Sequence, residues 1–152
     1  MTIKNQHIET LAVQAGYNPG NTDPRVPSIT QSTTFKFDTA EQVGNLFDLK
    51  DNAHFYSRVS NPTVQCLEDK IAALEQGTGA IAFSSGHAAV TAAILTLCSS
   101  GHHIVAAKSL YGGTINLLSN TLTKLGITVT FVNQDNEIDL LQKSIKPNTR
   151  LI

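Results

Sequence analysis

A 23-residue repeat in the second half of the chain constrains its fold more than any other sequence feature. The repeat is marked by three isoleucines, Ile81, Ile104 and Ile127. Each lies in an apolar run that predicts a strand, and these runs are 80–83, 104–107 and 127–132. Helical patterns follow at about 86–98, 113–125 and 136–146. Because this interval suits a strand–helix unit, the pattern predicts an α/β fold with a largely parallel sheet and flanking helices.

The predicted helices differ in how much of their surface is apolar. The 86–98 segment is apolar nearly all round, which predicts a buried helix between the sheet and another layer. The 113–125 segment has one apolar face, formed by Ile115, Leu118, Leu122 and Leu125. Residues 150–152 have the pattern of a further strand that is just beginning, so we expect this chain to be a fragment of a longer protein.

The first part of the chain follows a different pattern. A short helix is predicted from Glu9 to Ala15, with Gly16 ending it. Residues 17–37 are irregular and carry three proline turn signals, which is typical of an arm lying on a second subunit. Asp38 and Glu41 fit a capping box. The apolar face of the helix behind this box consists of Val43, Leu46 and Phe47.

Asn61 and Pro62 have the pattern of a helix start, an N-cap followed by a proline in the first turn. The helix predicted behind them ends at Gly77. Its apolar positions are Val64, Leu67, Ile71 and Leu74.

The composition excludes several classes of partner. With 152 residues, 41% hydrophobic residues and a net charge of −1, the chain is expected to be soluble and to bind neither nucleic acid nor a membrane. It has no apolar signal segment at its start and no apolar run near the ~20 residues that cross a bilayer. Cys66 and Cys98 lack a C-x-x-C spacing, which favours reduced thiols in a cytoplasmic protein over a disulfide or metal site.

A candidate phosphate site lies at Ser84, Ser85, Gly86 and His87, where the first predicted strand turns into a helix. The N–H groups of Gly86 and His87 would point at a phosphate from the positive end of the helix dipole, without help from the His87 side chain. Serine and glycine are also ordinary capping residues, so the stretch alone does not separate a phosphate site from a helix cap. A serine hydrolase is a weaker alternative, because the first glycine of G-x-S-x-G is absent.

Two further stretches carry groups that suit a flat, phosphorylated ligand. Arg58 has a guanidinium that can bind phosphate with two hydrogen bonds, and Tyr56 adds a hydroxyl donor. Tyr111 follows the predicted strand at 104–107, at the sheet edge where open α/β folds bind ligands. Its ring could stack on a flat cofactor, with the two glycines after it leaving room. Each stretch alone also fits an ordinary loop or turn.

Four other side chains are weaker candidates for chemistry. Lys108 and Lys124 could be nominated as Schiff-base amines, but a reactive lysine must be desolvated, and both are expected on the surface. His102 and His103 open a strand without a second ligand pair at metal spacing, so we interpret them as structural.

In combination, these stretches resemble the pyridoxal-phosphate-dependent enzymes of cysteine and methionine metabolism. The resemblance covers residues 9–152. Its most specific parts are three ordered blocks: Tyr56-Ser57-Arg58 with Asn61-Pro62-Thr63, Ser85-Gly86-His87-Ala88-Ala89, and Leu110-Tyr111-Gly112-Gly113-Thr114. The resemblance implies an aspartate-aminotransferase-like (fold type I) enzyme, of which this chain would be the N-terminal part, with pyridoxal 5′-phosphate as cofactor.

The same resemblance implies roles for four residues at the cofactor. Ser85, Gly86 and the N–H of His87 would hold the phosphate. Tyr111 would stack on the pyridine ring, and its hydroxyl would assist proton transfer at the leaving group. The Schiff-base lysine, the aspartate beneath the pyridine nitrogen and the arginine for the substrate carboxylate would all lie beyond residue 152.

The resemblance further implies an assembly of identical subunits. Tyr56 and Arg58 would reach the cofactor phosphate of a neighbouring subunit, so that dimers share their sites, and such dimers would pair into tetramers. Residues 1–60 would then be an arm and helix at the subunit interface, and residues 61–152 the first part of the cofactor-binding α/β domain.

Within the family, residues 40–50 and 110–118 are most similar to O-acetylhomoserine sulfhydrylases, whereas methionine γ-lyases typically carry a cysteine where this chain has Gly113. The implied reaction is γ-replacement, in which sulfide or a thiol displaces acetate from O-acetyl-L-homoserine to give homocysteine or methionine. Methionine γ-lyase and cystathionine γ-synthase or γ-lyase are the alternative reactions. A non-catalytic phosphate- or nucleotide-binding module is the alternative of another class.

Overall fold

The computed structural model describes residues 6–133 and 138–152. The chain divides into two compact units, Met1–Ala82 and Phe83–Ile152. Within the described stretches, none of the helices has the length and apolar character that a bilayer crossing requires.

The first unit contains three helices, α1 (Ile8–Gln14), α2 (Ala40–Phe47) and α3 (Pro62–Leu74). The chain leaves α1 at Gly16, as predicted. Gly16 has φ +82°, and a Cβ there would lie 2.1 Å from the carbonyl oxygen of Cys66 in α3. Glycine at this position therefore permits both the left-handed turn and the close approach of α1 to α3.

The prediction of an irregular segment is confirmed, and the capping prediction is wrong by one residue. Residues 17–37 contain no helix or strand, and an isolated antiparallel bridge joins Thr34 to Tyr56. The cap of α2 is Thr39, whose hydroxyl accepts from the Gln42 N–H at 3.3 Å, while Gln42 Oε1 accepts from the Thr39 N–H at 3.3 Å. The sequence contains two overlapping capping boxes, and the helix can use only one of them.

The predicted start of α3 is confirmed, and the predicted stop residue Gly77 closes the capping motif that follows its last residue, Leu74. Asn61 Oδ1 accepts from the Thr63 N–H at 2.9 Å, as an N-cap should. At the other end, Gln76 takes the left-handed position at φ +54°, and the N–H of Gly77 donates to Ala72 O at 2.8 Å. This Schellman arrangement ends the helix at Leu74, with glutamine in the position that glycine usually occupies.

The second unit is a parallel α/β arrangement. Its helices and strands, in chain order, are α4 (Gly86–Leu97), β1 (His103–Ala107), α5 (Gly112–Asn116), a π-helix (Leu117–Thr121), α6 (Leu122–Lys124), β2 (Thr128–Val132), α7 (Ile138–Ser144) and β3 (Thr149–Leu151). The described strands form a sheet in the order β2-β1-β3, and both pairings are parallel. The largely parallel sheet with flanking helices that the repeat predicts is therefore confirmed.

Apolar side chains of α4, of β1 and of residues 117–127 pack together in the core of this unit. The buried core cluster consists of Ile94, Cys98, Ile104, Leu117, Leu118, Leu122 and Ile127. The N–H of Leu122 donates to Leu117 O, which is the i→i+5 hydrogen bond of a π-helix, and both side chains are buried. Of the predicted apolar face, Leu118 and Leu122 are buried, whereas Leu125, the C-cap residue of α6, is 51% exposed.

Two further sequence predictions, about residues 80–83 and about α4, are wrong. No described strand includes residues 80–83: Ile81 is 77% exposed, and the N–H of Ala82 donates to the Glu68 carboxylate at 2.7 Å. A strand needs a hydrogen-bonding neighbour, and residues 80–83 pair with none of the described strands. The burial predicted for α4 is also only one-sided, because Ile94 packs in the core while Leu95 and Leu97 are exposed among the described residues.

A buried histidine joins the three strands of the sheet. His103 in β1 is fully buried, with Nδ1 2.8 Å from the Thr149 hydroxyl in β3 and Nε2 2.8 Å from the Thr130 hydroxyl in β2. Threonine hydroxyls can donate or accept, so the neutral ring is satisfied on both sides. Burial, and to a lesser extent the charge of Lys146, lowers the pKa of His103 below 6.5. The structural interpretation of His103 fits this geometry.

This histidine predicts that acid destabilises the protein. Below about pH 6.5 the unfolded chain binds a proton that folded His103 takes up less readily, so the free energy of unfolding falls with pH until the folded pKa is passed. We expect a slope of up to about 1.4 kcal/mol per pH unit in that window, measured by urea unfolding of the full-length protein. A His103→Gln variant should show a shallower slope, and an equal slope would contradict the assignment.

Candidate cofactor site

The predicted phosphate turn is the N-terminus of α4. Ser85 is its N-cap, with extended backbone (φ −155°, ψ 153°) and Oγ accepting from the Ala88 N–H at 3.1 Å. That bond uses a lone pair of the hydroxyl and leaves its hydrogen available to an anion. The helix-cap interpretation is therefore correct, and it does not exclude a phosphate role for the same residue.

The backbone donors beside Ser85 are unpaired among the described residues. Within the described part of the chain, the N–H groups of Gly86 and His87 have no hydrogen-bond partner, as expected in the first turn of a helix. A Cβ built on Gly86 meets no atom within 4 Å. The end of a twelve-residue helix thus presents two free donors and a hydroxyl at its positive pole, which is a suitable seat for a phosphate.

Tyr111 lies at the carboxyl end of β1, where its backbone starts α5. Its carbonyl oxygen accepts from the N–H groups of Thr114 at 2.8 Å and Ile115 at 3.1 Å. Its side chain is 77% exposed. The residue therefore combines an anchored backbone with a ring that has a large free surface for stacking.

The rings of His87 and Tyr111 meet at Gly113. Their centroids are 6.3 Å apart with the planes at 74°, an edge-to-face arrangement. A Cβ on Gly113 would lie 2.6 Å from Tyr111 Cε1 and 2.8 Å from His87 Cε1. With the two rings in these positions, position 113 has room for glycine but not for a residue with a Cβ.

The His87 side chain is a contact that sequence reasoning missed. A signal for it was present, because residues 87 and 111 are 24 positions apart, close to the 23-residue repeat. Equivalent positions of successive strand–helix units lie at the same edge of a parallel sheet, so these residues were candidates for neighbours.

Tyr56 and Arg58 belong to the first compact unit, whereas the other four predicted site residues belong to the second. The guanidinium carbon of Arg58 lies 5.1 Å from the centroid of the Tyr56 ring, a cation–π arrangement. Among the described residues, no carboxylate pairs with Arg58, whose side chain is exposed. The guanidinium is therefore available to an external anion.

Hydrogen bonds tie the segment of Tyr56 and Arg58 to the irregular arm and to α3. Ser57 N–H donates to Thr33 O at 2.9 Å, and Ser57 Oγ donates to Ser32 O. The buried Asn61 side chain donates to Thr30 O at 3.0 Å and to Ser57 Oγ at 2.9 Å. One N-cap residue therefore fixes the arm, the segment and the helix together.

The remaining candidates behave as ordinary structural or surface groups. Lys108 and Lys124 are exposed, as predicted. The thiols of Cys66 and Cys98 are free, and burial raises the pKa of the Cys98 thiol against a smaller opposing effect of Arg150. In the described ranges, no cluster of three potential metal ligands occurs.

A cavity of about 260 Å³ lies in the first unit, between the arm and α3. Its polar lining includes Tyr17, Ser28, Thr30, His54, Cys66 and Asp69. None of the six predicted site residues lines it, so it is separate from the candidate cofactor site.

Comparison with known proteins decides the family. The family described as Cys/Met metabolism PLP-dependent enzyme matches residues 9–152. The chain belongs to this family. Its cofactor is pyridoxal phosphate, as the resemblance implies, and the fold type I expectation is confirmed by the structural match below.

Three similar proteins are informative. An O-acetyl-L-homoserine sulfhydrylase of Corynebacterium glutamicum is 47% identical over 144 residues, 94% of this chain and 33% of that protein. An L-methionine γ-lyase of Fusobacterium nucleatum is 41% identical over 152 residues, 100% of this chain and 38% of that protein. The third is the solved structure of a putative O-acetylhomoserine (thiol)-lyase of Campylobacter jejuni, with N′-pyridoxyl-lysine-5′-monophosphate. The match covers 95% of this chain and 36% of the C. jejuni chain, with a TM-score of 0.88 and a sequence identity of 36%.

The chain spans about a third of the length of the curated relatives that it matches. The family membership and the cofactor class are therefore established for it, and the reaction of the whole protein is a matter for proposal.

Proposed function

We propose that the full-length protein catalyses γ-replacement on O-acetyl-L-homoserine. Protons would leave Cα and Cβ, acetate would depart as the Cγ–O bond breaks, and sulfide or a thiol would then add at Cγ to give homocysteine or methionine. One observation carries this proposal: Tyr111 and Gly113, which has no side chain, lie beside His87 at the N-terminus of α4, where the free N–H groups can bind an anion.

The residues of this chain fit the cofactor at two points. The Ser85 hydroxyl and the N–H groups of Gly86 and His87 would bind its phosphate, and the exposed face of Tyr111 would bind its ring. When bound, pyridoxal phosphate supplies an electron sink that makes the protons on the substrate carbons acidic. The phosphate site would fix the orientation of the cofactor, and the Tyr111 hydroxyl would move a proton at the leaving oxygen. The Schiff-base lysine of the proposed enzyme would be supplied by residues outside the 152.

Gly113 favours the sulfhydrylase over a lyase. Methionine γ-lyases typically carry a cysteine at the corresponding position, and any side chain here would collide with both rings as they are placed. The C. glutamicum sulfhydrylase is also somewhat more similar to this chain than the F. nucleatum γ-lyase, at 47% against 41% identity. The γ-lyase reaction is the second candidate, because that similarity is only slightly lower.

We also propose that the protein acts as a homo-oligomer. The unpaired guanidinium of Arg58 and the hydroxyl of Tyr56 lie in a different compact unit from the phosphate seat, which fits a role at the site of a neighbouring subunit. Dimers that share sites, paired into tetramers, would give the arm of residues 17–37 a surface to bind. Two unpaired thiols favour a cytoplasmic location.

The test is a direct comparison of two reactions by the purified full-length protein. We expect visible absorbance that hydroxylamine abolishes, and homocysteine formation from O-acetylhomoserine and sulfide with a kcat/KM more than about tenfold above that for methionine cleavage. Faster release of ammonia and a 2-oxo acid from methionine would favour the γ-lyase. Phosphate binding without the absorbance would favour a non-catalytic module.

A further inference from the structure

The Tyr111 ring has little to fix its direction other than the His87 side chain. It is 77% exposed, and the hydrogen bonds at this residue are made by its backbone carbonyl. Among the described residues, the aromatic neighbour of Tyr111 is His87, at 6.3 Å and 74°. An exposed ring without such a neighbour would sample several rotamers.

We propose that the imidazole of His87 is a positioning residue that sets the direction of the Tyr111 ring, and that Gly113 is required for the two rings to meet. This inference rests on the proposed function, since there Tyr111 binds the cofactor ring and moves a proton. His87 would then have two roles in the site: its backbone N–H would bind the phosphate, and its side chain would contact the Tyr111 ring.

The physical basis is the quadrupole of aromatic rings. In an edge-to-face pair the positive edge of one ring lies against the negative face of the other, at centroid separations of about 4.5–7 Å. Because Gly113 has no Cβ, both Cε1 atoms approach its Cα without collision. The contact holds the phenol hydroxyl in one place, and a misplaced hydroxyl slows proton transfer more than it weakens substrate binding.

The first experiment observes the ring without any catalysis. The full-length protein is labelled with 3-fluorotyrosine, freed of cofactor, and studied by ¹⁹F NMR, with the Tyr111 resonance assigned through Tyr111→Phe. We expect His87→Ala and Gly113→Ala to move this resonance towards that of free fluorotyrosine. His87→Phe, which keeps a ring, should retain most of the folded shift. In the Gly112→Ala control, where a Cβ meets no atom within 4 Å, the resonance should stay close to that of the wild type.

The second experiment measures the loaded enzyme. His87→Ala should lower kcat about two- to tenfold with little change in KM, which corresponds to the loss of one edge-to-face contact, and His87→Phe should restore most of it. The exposed His7, which makes no side-chain cap bond in α1, provides the matched His7→Ala control with unchanged kcat.

The two experiments separate failure of this inference from failure of the proposed function. An unchanged Tyr111 resonance in His87→Ala overturns the positioning role, whatever the enzyme catalyses. An unchanged kcat beside a shifted resonance also overturns it, provided that the γ-replacement assay is positive. A shifted resonance with no γ-replacement by the wild type leaves the ring contact intact and refutes the proposed function on which its catalytic role depends.

Discussion

Mixing Arg58→Ala subunits with Tyr111→Ala subunits is expected to restore about a quarter of wild-type activity, although each variant alone is nearly inactive. In a random mixture half of the dimers contain one subunit of each kind. If the site is shared, one of the two sites in such a dimer has both Arg58 and Tyr111 intact, and the other has neither. The restored activity is thus a property of the mixed dimer alone.

The expected loss in each parent variant has a separate cause. Arg58→Ala removes a guanidinium that pairs with no carboxylate in the described part of the chain and that is free for a phosphate, so cofactor retention should fall while the fold is kept. Tyr111→Ala removes the exposed ring and its hydroxyl but leaves the donors of Gly86 and His87, so the phosphate should still bind.

The matched control mixes Arg58→Ala subunits with subunits that carry both changes. No dimer in that mixture contains a site with Arg58, so activity should stay at the level of the parents. Differently tagged subunits and native mass spectrometry verify that mixed dimers have formed. If verified mixed dimers of the two single variants remain as inactive as the parents, the proposal of a shared site is refuted.

The candidate site shows which of its features can be predicted from local sequence and which cannot. The capping role of Ser85 follows from its own backbone position, and the free donors after it follow from any helix start. The contact between His87 and Tyr111 depends on β1 and on the approach of two helix starts, which no local pattern describes. Local sequence therefore predicts the candidate residues, whereas the packing of the helices on the sheet determines which of their side chains are in contact.

The fold shows the same division between local and tertiary causes. The apolar run at 80–83 has the composition of a strand, but a strand exists only with a ladder partner, and these residues pair with no described strand. The helix behind Tyr111 was placed correctly, but the π-helix within it was not foreseen. A π-turn changes the backbone hydrogen bonds from i→i+4 to i→i+5, so a strict 3.6-residue period does not describe residues 117–121.

The complete burial of Leu122 gives a prediction with a large effect on stability. Leu122 is 0% exposed and lies in the core with Ile94 and Ile104, so Leu122→Ala should lower the free energy of unfolding by about 2–5 kcal/mol. The cost combines lost apolar burial with a cavity that the surrounding side chains fill only in part. Urea unfolding of the full-length protein, monitored by circular dichroism, measures the change.

Leu125 is the matched control, since it lies in the same predicted apolar face and receives the same substitution. An uninterrupted α-helix would bury both leucines, because residues i and i+3 lie on one face. The structure leaves Leu125 51% exposed after the π-helix, so Leu125→Ala should cost less than about 1 kcal/mol. Equal losses for the two variants would contradict the exposure of Leu125. A large loss for Leu122 with a small one for Leu125 would agree with the burial of the first side chain and the exposure of the second.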